Sequence, residues 1–279
     1  METQSKNLFL TLDFEEDLGS ANPAKSFYCH QGSDTLVSFV IEGDLKITMF
    51  ITGEILEKYP ELLEPYLKNP GNFQFELHAY DHTTIFKSIP ERKENMLQGI
   101  EAYRKFFGKT PKYYRAPNGM ISPEEIKLLI DEGVYAGSNF FPTRFPGRFN
   151  NSHIPKTPFF VNQTNYFEVP VAVTNRFSVP YSLSYIKLVG SKMFSLLEND
   201  LAPDDLVFDF HLHDLFPDQY RNKIKLPALH RLAYSINGSN KKSFFIFEKF
   251  IDQLIKKNYQ SRFLMELDKN NVSNQLTLV

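Results

Sequence analysis

His78 and His82 stand four residues apart in the stretch FELHAYDHTT, and the chain has only seven histidines. Two imidazoles at positions i and i+4 can reach one ion if the backbone between them makes a helical turn. A zinc-type catalytic site needs a third protein ligand and an open position for water. The acidic run DFEED offers Asp13, Glu15, Glu16 and Asp17 as candidates. Taken alone, the pair is equally a polar turn and the run a solvated acidic loop, since short motifs arise often by chance. Further on, LVFDFHLHD alternates polar and apolar residues. Period two places Asp209, His211 and His213 on one face of a strand. Such a face is costly on a buried strand unless its groups are paired or functional, and a half-exposed edge strand is the ordinary alternative. Arg115, in YYRAPNG, is a surface arginine by default; beside carboxylates it could orient a general base through a bidentate pair.

The elements that must position these residues alternate along the chain. KNLFLTLDF, LKITMFITG, NFQFELHAY, TPKYYRAPNG, VYAGSNF, YFEVPVAVT and DDLVFDFHLHD read as strands. Between them DTLVSFVIEGD, EILEKYPELLEPYLKN, PERKENMLQGIEAYRKFFG, SPEEIKLLIDEG and LSYIKLVGSKMFSLLEN have helical spacing, and SFFIFEKFIDQLIKKN adds a last amphipathic helix. Pro60 and Pro65 interrupt the second of these helices. Ser122 is an N-cap, Pro123 the first helical position and Gly133 a C-cap. Residues 141–165 read as a long irregular connection, and the tail over about 266–279 as poorly ordered. The alternation predicts one α/β domain spanning residues 1–279, with a mostly parallel sheet either open or closed into a barrel. In both cases ligands gather at the C-terminal strand ends, where Asp13, His78, Arg115, His211 and His213 fall.

The bulk composition limits the alternatives. With 31 Lys plus Arg against 33 Asp plus Glu, the net charge of −2 gives no basic excess for nucleic acid or an anionic membrane surface. One cysteine, Cys29, excludes an intrachain disulfide and a cysteine-rich metal cluster. No stretch of 18 apolar residues occurs, and the N-terminal residues lack the apolar core of a signal peptide, so the expectation is a cytoplasmic protein without an integral membrane segment.

In order and composition these motifs resemble the polysaccharide deacetylases, the NodB-homology domain of carbohydrate esterase family 4. The resemblance runs from about Phe9 to Asp214. LTLDFEED is similar to the family's first motif in its Asp-x-Glu branch, ITMFITG to the strand that follows, HAYDH to the His-x-x-x-His motif, RAPNG to Arg-x-Pro-x-Gly, and LVFDFHLHD to the last strand ending in histidine. It implies a distorted (β/α)7-8 barrel and a divalent metal, most simply Zn2+, with Ni2+, Co2+ or Fe2+ as alternatives.

Position by position, the resemblance makes Glu15, His78 and His82 the metal ligands. Asp13 becomes the general base, and Arg115 the residue that orients it. His211 is the general acid, or His213 if the motif is aligned on its terminal His-Asp. Ala116 and Pro117 of the RAPNG turn, and Asp209, would face substrate, with the backbone N–H after Arg115 a candidate oxyanion donor. Ala136 stands where the family usually has an aspartate that pairs with the arginine; Asp209 could compensate if it faces inward. The implied activity is removal of an N-acyl group from an amino sugar, in a glycan or in a lipid- or nucleotide-linked precursor. A small non-sugar amide, or a non-catalytic carbohydrate-binding role on the same scaffold, are the competing readings.

Overall fold

Apolar strands, the first four of them separated by helices, close into a ring. The computed structural model describes residues 6–22, 25–82, 87–145, 149–190, 194, 202–224, 238–272 and 274–277. The strands, in chain order, are β1 Lys6–Phe14, β2 Ile47–Ile51, β3 Phe73–Leu77, β4 Tyr113–Tyr114, β5 Ala136–Gly137, β6 Arg144–Phe145, β7 Phe149–Asn150, β8 Phe159–Val161, β9 Phe167–Glu168, β10 Asp205–His211, β11 Tyr259–Ser261 and β12 Gln275–Leu276. The main sheet runs β10-β1-β2-β3-β4-β5-β9-β8-β12, with β11 added beside the start of β1. All its pairings are parallel except β8 with β9. The chain beyond β9 returns to β10: Ala172 N–H donates to Val207 O at 3.0 Å, and Asp209 N–H to Tyr181 O at 3.1 Å. These bonds close a distorted barrel in place of a regular eighth strand.

Side-chain alternation sorts the residues into two apolar bodies. Leu8, Leu10 and Leu12 point out of the ring into the larger core under the helices. There Phe247 and Phe250 of the helix Asn240–Lys256 pack on Phe208 and Phe210. The inward positions Phe9, Phe50, Tyr113, Ala136, Phe167 and Val207 form a separate cluster inside the barrel. One step further along the same faces the residues turn polar, at Asp13, Arg115 and Asp209. The predicted polar face of β10 is therefore a barrel interior, not an edge.

The predicted helices are present where the structure describes them. Ser122 caps Pro123–Asp131 in a capping box, and Pro60 and Pro65 divide the second helix into three short turns. Gly133, just past that box's helix, has φ 80°. The fifth expected helix is seen as Leu183–Val189, and most of its remainder lies outside the described residues. Residues 141–165 carry more regular structure than a plain connection, with the antiparallel pair β6–β7 and strand β8. The tail contributes β12, which pairs in parallel with β8. Neither β11 nor β12 is long or apolar enough to announce itself as a strand. Among the described residues no helix is long and apolar enough to cross a membrane.

Candidate metal centre

β1 delivers Glu15 just past its end, and β3 delivers His78. His78 N–H donates to Ile51 O at 2.8 Å, extending the β2–β3 ladder by one bond. The turn to His82 is not the helical one that the spacing suggests, because Ala79 takes φ 55°. It is held instead by neighbouring backbone: Gly53 N–H donates to Ala79 O at 2.9 Å, and Glu54 N–H to Tyr80 O at 2.8 Å. The result brings both imidazoles to one point. His82 Nε2 lies 2.9 Å from His78 Nε2 and 2.5 Å from Glu15 Oε2, and His78 Nε2 lies 3.6 Å from the same oxygen.

This donor set fits a divalent metal. His78 Nδ1 donates to Arg115 O at 2.9 Å, which leaves the Nε2 lone pair of the neutral ring facing the cluster. Two Nε2 atoms directed at each other cannot both act as acceptors without a cation or a proton between them. Glu15 Oε2 is buried and makes no aligned hydrogen bond, a cost removed by coordination. Burial would raise Glu15, but His82 and then His78 hold it well below the usual carboxylate range. Gly19 closes this side: at φ 50°, a Cβ there would stand 3.0 Å from both Glu15 Oε1 and His82 Nδ1. The Glu15–His78–His82 triad is thus a divalent-metal-binding site.

Asp13, the last but one residue of β1, shares the space. Arg115 Nη1 donates to Asp13 Oδ1 and to Asp209 Oδ1, each at 2.7 Å; its Nε donates to Ser138 O and its Nη2 to Ser138 Oγ, each at 2.9 Å. Its guanidinium rests over the Phe50 ring, 4.2 Å from the centroid. Burial opposes ionisation of Asp13, yet Arg115, His78 and His211 keep its carboxyl below the usual value. Asp209 does face inward, and it meets the arginine that Ala136 cannot reach. Burial first, and then Asp13, push Asp209 up to about 6.

The two C-terminal histidines separate in the structure. β10 ends at His211, so His213 sits in the following short helix Leu212–Leu215 and not on the strand face. His213 stacks on His211 with centroids 4.6 Å apart, and its Nδ1 accepts from Leu18 N–H at 3.2 Å. Burial lowers its pKa to about 4. His211 Nε2 lies 3.8 Å from both Asp13 Oδ2 and Glu15 Oε1, while its Nδ1 faces Asp214 Oδ2 at 3.2 Å. Burial disfavours the His211 cation, but that hydrogen bond and the nearby carboxylates hold the ring well above its ordinary value. Asp214 is anchored in turn by Ser184 Oγ at 2.6 Å, and its carbonyl accepts from Lys187 Nζ at 2.5 Å.

The RAPNG turn corrects one expectation. Ala116 N–H donates to Asn139 Oδ1 at 2.8 Å and is committed, so it is not an oxyanion donor. Pro117 has no N–H and is buried. Asn139 is held by Glu168, whose Oε1 accepts from Asn139 N–H at 2.5 Å and whose Oε2 accepts from Asn139 Nδ2 at 2.8 Å. Burial raises Glu168 to about 7. Ser138, Asn139 and Glu168 were not among the candidates. The strand-end rule would have found them, since each stands at or just past the end of β5 or β9.

The polysaccharide deacetylase family model matches residues 2–137. That match spans just under half of the 279 residues. The matched segment contains Asp13, Glu15, His78, His82 and Arg115. Structural neighbours extend the likeness over the whole chain at low identity. A protein from Mycobacterium smegmatis provisionally named a polysaccharide deacetylase is 12% identical with a TM-score of 0.63, and the match covers 100% of this chain and 96% of that one. A family pseudoenzyme from Bacillus anthracis is 10% identical with a TM-score of 0.55, covering 99% and 68%. A peptidoglycan N-acetylglucosamine deacetylase is 16% identical with a TM-score of 0.52, covering 98% and 92%. At such identities the likeness shows the fold. A search of the curated proteins finds no match. The chemical meaning of the site therefore lies in this chain's own side chains.

Proposed function

We infer that this protein is a polysaccharide deacetylase, a metal-dependent amide hydrolase that removes an N-acyl group from an amino sugar. One observation carries the reading: a buried Glu-His-His triad lies next to a carboxylate paired with arginine and a histidine paired with aspartate. Glu15, His78 and His82 would hold the ion, with zinc suited to two imidazoles and one carboxylate. When bound, such an ion makes water nucleophilic near neutral pH and polarises an acyl carbonyl. Asp13, kept ionised by Arg115, is placed to take a proton. His211, kept charged and oriented by Asp214, is placed to give one to the departing amine. The sugar class is suggested by the neighbour that deacetylates N-acetylglucosamine in peptidoglycan.

The fold alone does not entail activity, since one neighbour is a pseudoenzyme. Ala136 is the feature that favours a non-catalytic binder, and its force is reduced by Asp209, which stands at Arg115 in its place. The test is release of acetate or formate from a panel of N-acylated amino sugars by zinc-loaded protein. Wild type should release acid and Asp13→Asn should retain zinc but lose at least about a hundredfold in turnover. Zinc binding without release from any member of the panel would sink the reading.

A further inference from the structure

The Glu15 and His78/His82 segments come from different strands, and one cation ties them together. Lys25 lies in the loop that follows Glu15, beyond Gly19, at φ 44°. Its Nζ reaches Glu54 Oε2 at 2.5 Å and Asp81 Oδ2 at 2.9 Å. Asp81 stands between Ala79 and His82 in the ligand turn, and its other oxygen accepts from Asn95 Nδ2 at 2.8 Å. Asn95 Oδ1 in turn accepts from Tyr80 N–H at 3.1 Å. The turn that carries His82 is therefore gripped on three sides, by the first residues of the helix Gly53–Lys58, by Asn95 of the helix Ile89–Phe107, and by Lys25.

The grip has work to do there. Ala79 at φ 55° is a strained conformation for a residue with a Cβ. Glu54 and Asp81 also repel each other unless a cation stands between them. Lys58 reaches Glu54 as well, but from an exposed position and through that carboxylate's other oxygen, Oε1, at 2.9 Å.

We propose that Lys25 is a positioning residue for the metal centre, a cross-brace that locks the loop after Glu15 onto the His78–His82 turn and so sets the three ligands at one separation. This rests on the metal-site reading above, and its test does not depend on turnover. Zinc affinity is measured by competition with a chromophoric chelator on metal-stripped protein, for wild type, Lys25→Met, Lys25→Arg, Lys58→Met and Asp81→Asn. Lys25→Met should bind zinc about 10- to 100-fold more weakly, the range for loss of a residue that orients ligands. Lys25→Arg should restore most of that loss, and Lys58→Met should stay within about twofold of wild type. The pair Lys25→Met with Asp81→Asn should lose little more than either alone, because the two act through one contact. Equal affinity of Lys25→Met and wild type, equal losses in Lys25→Met and Lys58→Met, or additive losses in the pair would each overturn the brace. Failure of wild type to bind zinc would instead remove the metal centre itself.

Discussion

Arg115 serves two carboxylates with one guanidinium nitrogen, and the balance between them is a residue-scale property that substitution can expose. Asp209, raised to about 6 by burial and by Asp13, must still ionise at neutral pH. A carboxylate raised that far costs on the order of 2–3 kcal/mol when charged. Asp209→Asn keeps an acceptor for Arg115 and removes that cost. The variant should unfold at a urea concentration equal to or higher than wild type, by up to about 2 kcal/mol, while turnover falls about tenfold or more. Arg115 would then face Asp13 alone and make it a poorer base, a trade of activity for stability. A lower urea midpoint, or unchanged turnover, would contradict this. At this scale much of the site was legible. Positions 13, 15, 78, 115, 209 and 211 do meet, because each is a polar residue at or near the end of an apolar strand, and His82 joins them through the turn after β3. What stayed hidden was which donor was already engaged. Nothing in RAPNG tells that Ala116 N–H is spent on Asn139, twenty-three residues away in sequence.

At the scale of elements, the ligand turn depends on how closely two helices approach it. Gly99 lies inside the helix Ile89–Phe107, where glycine costs about 1 kcal/mol relative to alanine. Propensity alone would therefore favour Gly99→Ala. The space does not: a Cβ at Gly99 would stand 2.6 Å from the carbonyl carbon of Ala79 and 2.8 Å from Tyr80 N, both backbone atoms of the ligand turn. Gly53 opposes it, with Gly99 Cα only 3.0 Å from where a Gly53 Cβ would sit. Gly99→Ala should thus destabilise the protein by about 1–3 kcal/mol and weaken zinc binding measurably, since His78 and His82 must move with the backbone. A more stable variant with unchanged affinity would show that the helix can withdraw freely. The helix itself was plain in its periodicity and its terminal Gly108. The role of Gly99 was not, because a close approach is a fact about two elements and the pattern describes one. The same reason explains the ligand turn: i and i+4 spacing names a reach, and Ala79 meets it by a left-handed residue instead of a helix.

At the scale of the whole molecule, the barrel is weakest in its ladders where β4, β5 and β9 have two residues each. Buried glutamates take up the missing bonds on that side. Glu76 Oε2 accepts from Lys112 N–H and Tyr113 N–H, each at 2.8 Å, at the entry to β4. Glu168 accepts from Asn139 N–H and Phe140 N–H at the exit from β5. Alternation of strands and helices forecast a mostly parallel sheet, open or closed, and the family resemblance implied its closure, yet neither forecast this substitution of side chains for ladder, since a glutamate in a strand reads as an outward, solvated residue. Burial pushes both Glu76 and Glu168 up to about 7. In the unfolded chain each titrates near 4.5, so between those values the folded state holds more protons than the unfolded one. Their contribution to stability is therefore most favourable below pH 4.5 and declines as pH rises to about 7, then stays level. Each would account for up to about 3 kcal/mol across that window. Other groups titrate as well, so the informative quantity is the difference between wild type and Glu168→Gln, measured by urea unfolding at pH 5 and pH 7.5. Glutamine keeps one carbonyl acceptor for the two N–H groups and does not ionise. The variant should lose stability relative to wild type at pH 5 and recover most or all of it at pH 7.5. A difference that does not change with pH would mean that Glu168 is ionised throughout, held by its three donors against the cost of burial.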